Sequence, residues 1–249
     1  AGPASDGPCA LKFLIPTRLA GGLIGQGGVH IAGLQEASGC RVRLSSQNAH
    51  FPVAPGAQGQ AGSGGGDRVA LLTGELDQVQ RAQDMIVHRL HIAMGEREDR
   101  RSGGAGGIKS GGQGEDEDAD VPPSPPPQGG PSSSSPLPPD APMTVRLVVP
   151  ASAGGLLIGR QGATIKQMSE AAQCRLQLQG RELSAVPSER IVTLQGPPAN
   201  IVAGIDLILN KMAEDPAASK YQILSVTYRR GHVRGATYGG GGGGMIDGG

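Results

Sequence analysis

Gly154-Gly155-Leu156-Leu157-Ile158-Gly159-Arg160-Gln161-Gly162-Ala163-Thr164-Ile165 joins a short apolar run, a Gly-x-x-Gly and the start of a helix-period segment, and the chain contains this arrangement twice. The other occurrence is Ala20-Gly21-Gly22-Leu23-Ile24-Gly25-Gln26-Gly27-Gly28-Val29-His30-Ile31, 134 residues earlier. That offset holds without a gap from Leu11 against Val145 to Leu44 against Leu178. A self-similarity of this length in unbiased sequence means one structural unit present in two copies. The glycines mark a tight turn between two elements, where the backbone lies bare to whatever approaches it.

Working outward, each copy reads as the same series of elements. In the first, Leu11 to Ile15 is a strand closed by Pro16, Ala20 to Ile24 a short helix broken at Gly25, and Val29 to Ala37 a second helix stopped at Gly39. Arg41-Val42-Arg43-Leu44 alternates, which predicts a half-buried strand with both arginines on one face. Residues 45–67 break every period with prolines and glycines and read as a long exposed loop. Arg68 to Thr73 is the next strand, and Glu75 to Met94 a helix with Val79, Ile86, Leu90 and Ala93 on its apolar face. The second copy repeats this order with a loop 12 residues shorter, ending in a helix from Pro197 to Ala213. The chain thus divides into a disordered lead-in (1–9), a first domain (10–94), a disordered linker (95–142), a second domain (143–214) and a Gly-rich tail (215–249) in which Val226-Thr227-Tyr228 could add a strand. The linker combines the acidic run Glu115-Asp116-Glu117-Asp118 with proline and serine tracts, a composition that cannot offset its ordering entropy by burial.

Composition narrows the functional classes less than the repeat does. Formal charge is zero overall, but residues 1–94 carry 7 basic and 6 acidic side chains, residues 143–214 carry 7 and 5, and the linker carries 4 and 9. Neutrality is therefore the average of slightly basic domains and an acidic spacer. Cys40 and Cys174 stand at equivalent repeat positions and read as small buried hydrophobes, not as a disulfide framework, consistent with a reducing compartment. No apolar run has membrane-spanning length, and no membrane partner is expected. Gly159-Arg160-Gln161-Gly162 lacks the Gly-Lys-Ser/Thr of a P-loop, and His88 and His91 lack the glutamate of a zinc hydrolase. No nucleophile–base pair is visible, so neither catalysis, metal nor cofactor is expected.

The order β-α-α-β-β-α with Gly-x-x-Gly between the first two helices resembles the type I KH domain of RNA-binding proteins. The resemblance rests on Leu23-Ile24-Gly25-Gln26-Gly27-Gly28-Val29-His30-Ile31 through Cys40-Arg41-Val42-Arg43-Leu44, and on Leu157-Ile158-Gly159-Arg160-Gln161-Gly162-Ala163-Thr164-Ile165 through Cys174-Arg175-Leu176-Gln177-Leu178. Within that family the chain is similar to the multi-KH Nova and poly(C)-binding proteins, Glu189-Arg190-Ile191-Val192-Thr193-Leu194-Gln195-Gly196 in particular. The resemblance implies an α+β fold of two type I KH domains, each a three-stranded antiparallel sheet on three helices, joined by the disordered linker. It also implies a narrow groove for about four unpaired nucleotides, clamped by the loop at the phosphates while bases lie on an apolar floor.

The residues support that mechanism in their own right. Gly25, Gly28, Gly159 and Gly162 would let a sugar-phosphate backbone approach, the following helix N-terminus would offer amides to a phosphate, and Arg160 would add a full charge. The floor would come from Ile24, Ile31, Val42 and Leu44, and from Ile158, Ile165, Leu176 and Leu178, any of which equally fits ordinary core. Gln26, Gly27 and Gln161 complete the two loops. Arg41 and Arg175 start the strand flanking the groove, Arg68 and Arg190 its neighbour; the resemblance implies that such a pair reads a pyrimidine edge, a task suited to a guanidinium fork. Gln26 in place of a basic residue and the swollen glycine loop mark the first copy as the weaker binder. Aromatic residues are 2% of the chain, which disfavours ring stacking as the main source of affinity.

The expected function is thus noncatalytic, sequence-selective binding of single-stranded RNA, in particular mRNA with short pyrimidine-containing motifs, in splicing, stability or translation, in the nucleus or cytoplasm. The two domains are expected to bind separate motifs on one strand, the flexible linker setting their effective concentration. Two alternatives stay open: single-stranded DNA as ligand, and a protein-interaction scaffold with decayed RNA binding that makes KH–KH or proline-linker contacts.

Overall fold

The computed structural model describes residues 9–52, 66–102, 137–215 and 224–228. The expected lead-in up to residue 8, most of the first long loop, most of the linker and most of the tail lie outside the described residues. The first repeat is β1 (Cys9–Pro16), α1 (Thr17–Ile24), α2 (Val29–Ser38), β2 (Arg41–Leu44), β3 (Asp67–Gly74) and α3 (Leu76–Ser102). The second is β4 (Met143–Pro150), α4 (Gly154–Ile158), α5 (Ala163–Ala171), β5 (Arg175–Leu178), β6 (Glu189–Gly196) and α6 (Pro198–Ala213). Both copies therefore show the expected α+β order. Several boundaries differ: β1 begins at Cys9, inside the expected lead-in, and α1 begins at Thr17, ahead of Ala20. Helix α3 continues past Met94 into the segment read as linker, and Gly95 does not stop it: a Cβ there would come within 3.3 Å of Leu137, so the glycine makes room for the returning chain. Residues 224–228 form no strand; they lie across the sheet without joining its ladder.

Alternation along the strands decides which face is buried under helices. Leu11, Phe13 and Ile15 of β1, Ala70 and Leu72 of β3, and Val145, Leu147 and Val149 of β4 share one apolar cluster with Val79, Ile86, Ile201, Ile205 and Ile208 of α3 and α6. That cluster runs through both repeats, because the two three-stranded sheets are one. The strand order is β2-β3-β1-β4-β6-β5, with β1 and β4 antiparallel in the register Lys12↔Val148, Phe13↔Leu147 and Leu14↔Arg146. Helices α3 and α6 lie side by side over this seam, where Gln80 donates to Asn210 Oδ1 at 3.2 Å and Gln83 to Asp206 Oδ1 at 3.1 Å.

The seam has an internal pseudo-twofold axis. The repeat offset makes Phe13 the counterpart of Leu147, and these two, both fully buried, face each other on the axis. It also makes Lys12 the counterpart of Arg146. Lys12 Nζ reaches Glu189 Oε1 at 2.7 Å, and Arg146 Nη2 reaches Asp67 Oδ2 at 2.5 Å, where Asp67 and Glu189 each pair with the proline ending β1 or β4. The same ion pair is thus made twice, as in a symmetric dimer, but within one chain. Burying Phe13 and Leu147 stabilises the fold by roughly 1.5–3 kcal/mol each, shared between each repeat's own core and the seam. The expectation that a flexible linker sets the separation of the domains is therefore corrected: hydrogen-bonded strands and packed helices hold them together.

A smaller apolar cluster covers the outer face of the sheet. Leu14, Val69, Leu71 and Val148 meet Phe51 from the first long loop, Val186 from the second, and Val226 from the tail. Tyr228 packs edge-on against Phe51, with ring centroids 4.9 Å apart, and its hydroxyl donates to Glu189 Oε2 at 2.8 Å. Lys12 Nζ also donates to the Tyr228 hydroxyl at 3.1 Å, so one ion pair of the seam is closed off by the tail.

Candidate functional site

In each repeat the Gly-x-x-Gly connects two helices in one turn, and positive φ angles make that turn possible. Gly25, Gly27 and Gly28 have φ of 76°, 61° and 83°; Gly159, Gln161 and Gly162 have 70°, 50° and 82°. Left-handed backbone costs a side-chain-bearing residue roughly 1–2 kcal/mol, so Gln161 holds a strained position that the first repeat fills with glycine. The glycines divide by what surrounds them. A Cβ on Gly25 would come within 2.7 Å of the His30 ring, and one on Gly159 within 2.8 Å of Thr164 Cβ. Gly27 and Gly162 face open space within 4 Å, and Gly28 meets only Ile31 Cγ2 at 3.9 Å. Bareness toward an approaching backbone is thus a property of the later loop positions; the first glycine is demanded by its own following helix.

Behind the loop, α2 and α5 begin at a left-handed glycine with no side-chain cap. Their first amides are open donors at the positive end of a helix dipole, an arrangement suited to an anion. Gln26, Arg160 and Gln161 are exposed beside these amides, and among the described residues Arg160 has no ion-pair partner. The first loop offers amides alone; the second adds a guanidinium.

The eight floor residues separate by burial. Val42 and Leu176 are buried in the core, whereas Ile24, Ile31, Leu44, Ile158, Ile165 and Leu178 are half-buried and leave apolar surface beside the loop. A floor of partly exposed isoleucine and leucine costs solvation until something flat and apolar covers it. The opposite wall is the edge strand, β2 in one repeat and β5 in the other. Two residues that the sequence reading missed tie this wall to the helix: Gln35 Oε1 accepts from the Val42 amide at 2.9 Å, and Ser169 Oγ from the Leu176 amide at 3.3 Å. They are repeat counterparts, but a Gln and a Ser on a polar helix face carry no sequence signal of that role.

The four expected arginines are placed in two ways. Arg68 donates through Nε, at 3.1 Å, and Nη2 to the Ser45 carbonyl, and Arg190 through Nε and Nη2, at 2.8 and 2.5 Å, to the Gln179 carbonyl. Each fork thereby fastens the end of the edge strand to its neighbour, and burial beside Arg181 lowers the pKa of Arg190. A Cβ on Gly154 would strike the Arg190 guanidinium, which places this arginine under the start of α4. Arg41 and Arg175 are exposed on the edge strands, next to the core-facing Val42 and Leu176. Alternation sends their side chains toward the outer sheet face, so contact with a base in the groove requires them to wrap the sheet edge.

The loops and edge strands lie outward from the seam in both copies. With β2 and β5 at opposite edges, five strand spacings of about 4.8 Å separate the two grooves by roughly 24 Å. Among the described residues no three His, Cys, Asp or Glu side chains group as metal ligands, and no helix is long and apolar enough to cross a membrane.

The sequence matches the KH domain over residues 10–88 and 144–210, together more than half of the chain. RNA-binding protein Nova-2 of Homo sapiens is 26% identical over 226 residues, covering 90% of this chain and 38% of that protein. RNA-binding protein Pasilla of Drosophila melanogaster is 26% identical over 218 residues, covering 88% of this chain and 22% of its own length. The chain therefore spans well under half of either relative. Two copies of the matched unit, each with its Gly-x-x-Gly at the turn between the first two helices, place this chain in the KH domain family.

Proposed function

We propose that the protein binds single-stranded RNA without catalysis, each repeat taking a short unpaired stretch between its Gly-x-x-Gly loop and its edge strand. One observation carries this reading: uncapped helix amides, a bare turn and a half-exposed aliphatic floor occur together, in the same order, in both copies. Amides and Arg160 would hold phosphates, and bases would cover Ile24, Ile31 and Leu44 or Ile158, Ile165 and Leu178. The glycine loops, Arg41, Arg175 and, through any free donor, Arg68 and Arg190 complete the proposed contacts. Two relatives that carry RNA binding in their names support the same ligand. The finer reading is mRNA with pyrimidine-containing motifs, in post-transcriptional regulation in the nucleus or cytoplasm. With both grooves fixed on one sheet, the distance between two motifs becomes part of what is recognised.

The test compares wild type with Arg160→Asp plus Gln161→Asp for affinity to short single-stranded RNAs and to DNA of the same sequence. Two carboxylates beside the α5 amides should lower RNA affinity at least tenfold, about 1.4 kcal/mol, with the circular dichroism spectrum unchanged. Unchanged affinity would remove the second groove as the site. Equal affinity for DNA would show that the groove does not read the 2′-hydroxyl, and binding to neither leaves the scaffold reading.

A further inference from the structure

The outer sheet face of the first repeat carries a feature outside the groove. Cys9, Ala10 and Leu71 on the strands and Leu224 on the tail enclose a pocket of about 270 Å³ whose rim is formed by Arg41 and Arg43. The register explains the grouping: Arg41, Thr73 and Ala10 form one row across β2, β3 and β1, and Arg43, Leu71 and Lys12 the next. Among the described residues neither arginine has an ion-pair or hydrogen-bond partner for its side chain. Apart from the Thr73 hydroxyl the floor is apolar, and it is uncharged, since burial pushes the Cys9 thiol up to about 11. Leu224 is 51% exposed, and its segment is held over the sheet by the Val226 and Tyr228 contacts.

We infer that this pocket is an additional RNA subsite of the first repeat, taking one nucleotide of the strand that leaves the groove over the β2 edge. The inference rests on the RNA reading above. An apolar floor with two free guanidinium groups at its rim suits a base covering the floor while its phosphate meets the forks. The pocket borders the groove, since β2 is the edge strand between them. It also accounts for a difference between the copies. The first lacks a cation at its loop, where Gln26 stands for Arg160, and has Arg43 where the second has Gln177. The first repeat thus has a free cation at this position on the outer face and none in its loop.

The experiment uses the full chain with Arg43→Glu and, separately, Leu224→Ala, against randomised single-stranded RNA pools of about four and about ten nucleotides, lengths below and above the groove plus one subsite. Arg43→Glu should weaken the longer pool at least about fivefold and reduce its salt slope by about one, with the shorter pool unaffected. Leu224→Ala, which removes the wall without touching charge, should weaken the longer pool alone. Wild type that binds neither pool overturns the RNA reading itself. Wild type that binds both, with Arg43→Glu matching it on the longer pool, overturns only the subsite. Equal loss on both lengths would put Arg43 inside the groove and likewise overturn it. So would loss confined to a polyglutamate peptide, which would make the face a site for acidic protein.

Discussion

Replacing Glu189 by Gln keeps the shape of the seam and removes one charge from it. Lys12 is then a buried cation without its counterion, with side-chain exposures in the pair of 3% and 2%. Removing one partner of a buried pair costs about 3–5 kcal/mol. The lower end applies here, because the amide oxygen can still accept from Lys12 and the Tyr228 hydroxyl still accepts from it at 3.1 Å. We therefore expect a loss of about 3 kcal/mol, a large share of the 5–15 kcal/mol typical of a folded domain. Desolvation already lowers the Lys12 pKa, with the Glu189 hydrogen bond and charge opposing it. Removing that opposition should lower it further. The assay is urea unfolding at neutral pH, with the symmetry-related Asp67→Asn as internal comparison. Asp67→Asn should cost less, since Arg146 keeps 19% side-chain exposure. Converting both partners to apolar residues, Lys12→Met with Glu189→Leu, should recover most of the loss. A cost for Glu189→Gln below about 1 kcal/mol, the range of exposed pairs, would refute the claim that this pair is sealed inside the seam.

Three further outcomes follow from the same geometry. Proteolytic cleavage within residues 103–136 should leave both repeats in one particle by gel filtration, because strands β1 and β4 hold them; separation into two species would contradict the fused sheet. Gly162→Ala should cost about 1–2 kcal/mol for its left-handed φ, and Gly159→Ala distinctly more, because its Cβ also collides with Thr164; thermal unfolding that ranks them the other way contradicts this division of roles. Asp67 has its pKa raised by burial, against lowering by Arg146. Its folded form holds a proton more tightly than the unfolded chain, so stability attributable to this group should rise as pH falls from its raised value toward 3.8. Subtracting the Asp67→Asn stability curve from wild type should expose that slope, and a difference of opposite sign would reverse the assignment.

The repeated unit was legible because its signals are local. Glycines at the helix turn, alternation in Arg41 to Leu44 and the apolar stripe of Val79, Ile86 and Leu90 each depend on neighbours a few residues away. The seam was not legible for the opposite reason. Lys12 interrupts the apolar run of β1 at a position whose side chain faces away from the helices, and pattern alone assigns such a residue to solvent. It is buried by Glu189 and Tyr228, 177 and 216 residues away in the chain. The same holds for Arg68 and Arg190: nothing in their sequence context shows that both forks are spent on backbone carbonyls. Helix α3 outran its expected end because the room left by Gly95 is filled from Leu137, across the linker.

Sheets with open sides invite further strands, and a protein carrying two three-stranded sheets begins with four such sides. Pairing β1 with β4 joins the two longest of them, eight residues each, over Lys12–Leu14 and Arg146–Val148. The two that remain, β2 and β5, are four residues long, and each has an outward amide already taken by Gln35 or Ser169. The sheet thus ends on two four-residue margins, each with one outward amide already satisfied by its own helix.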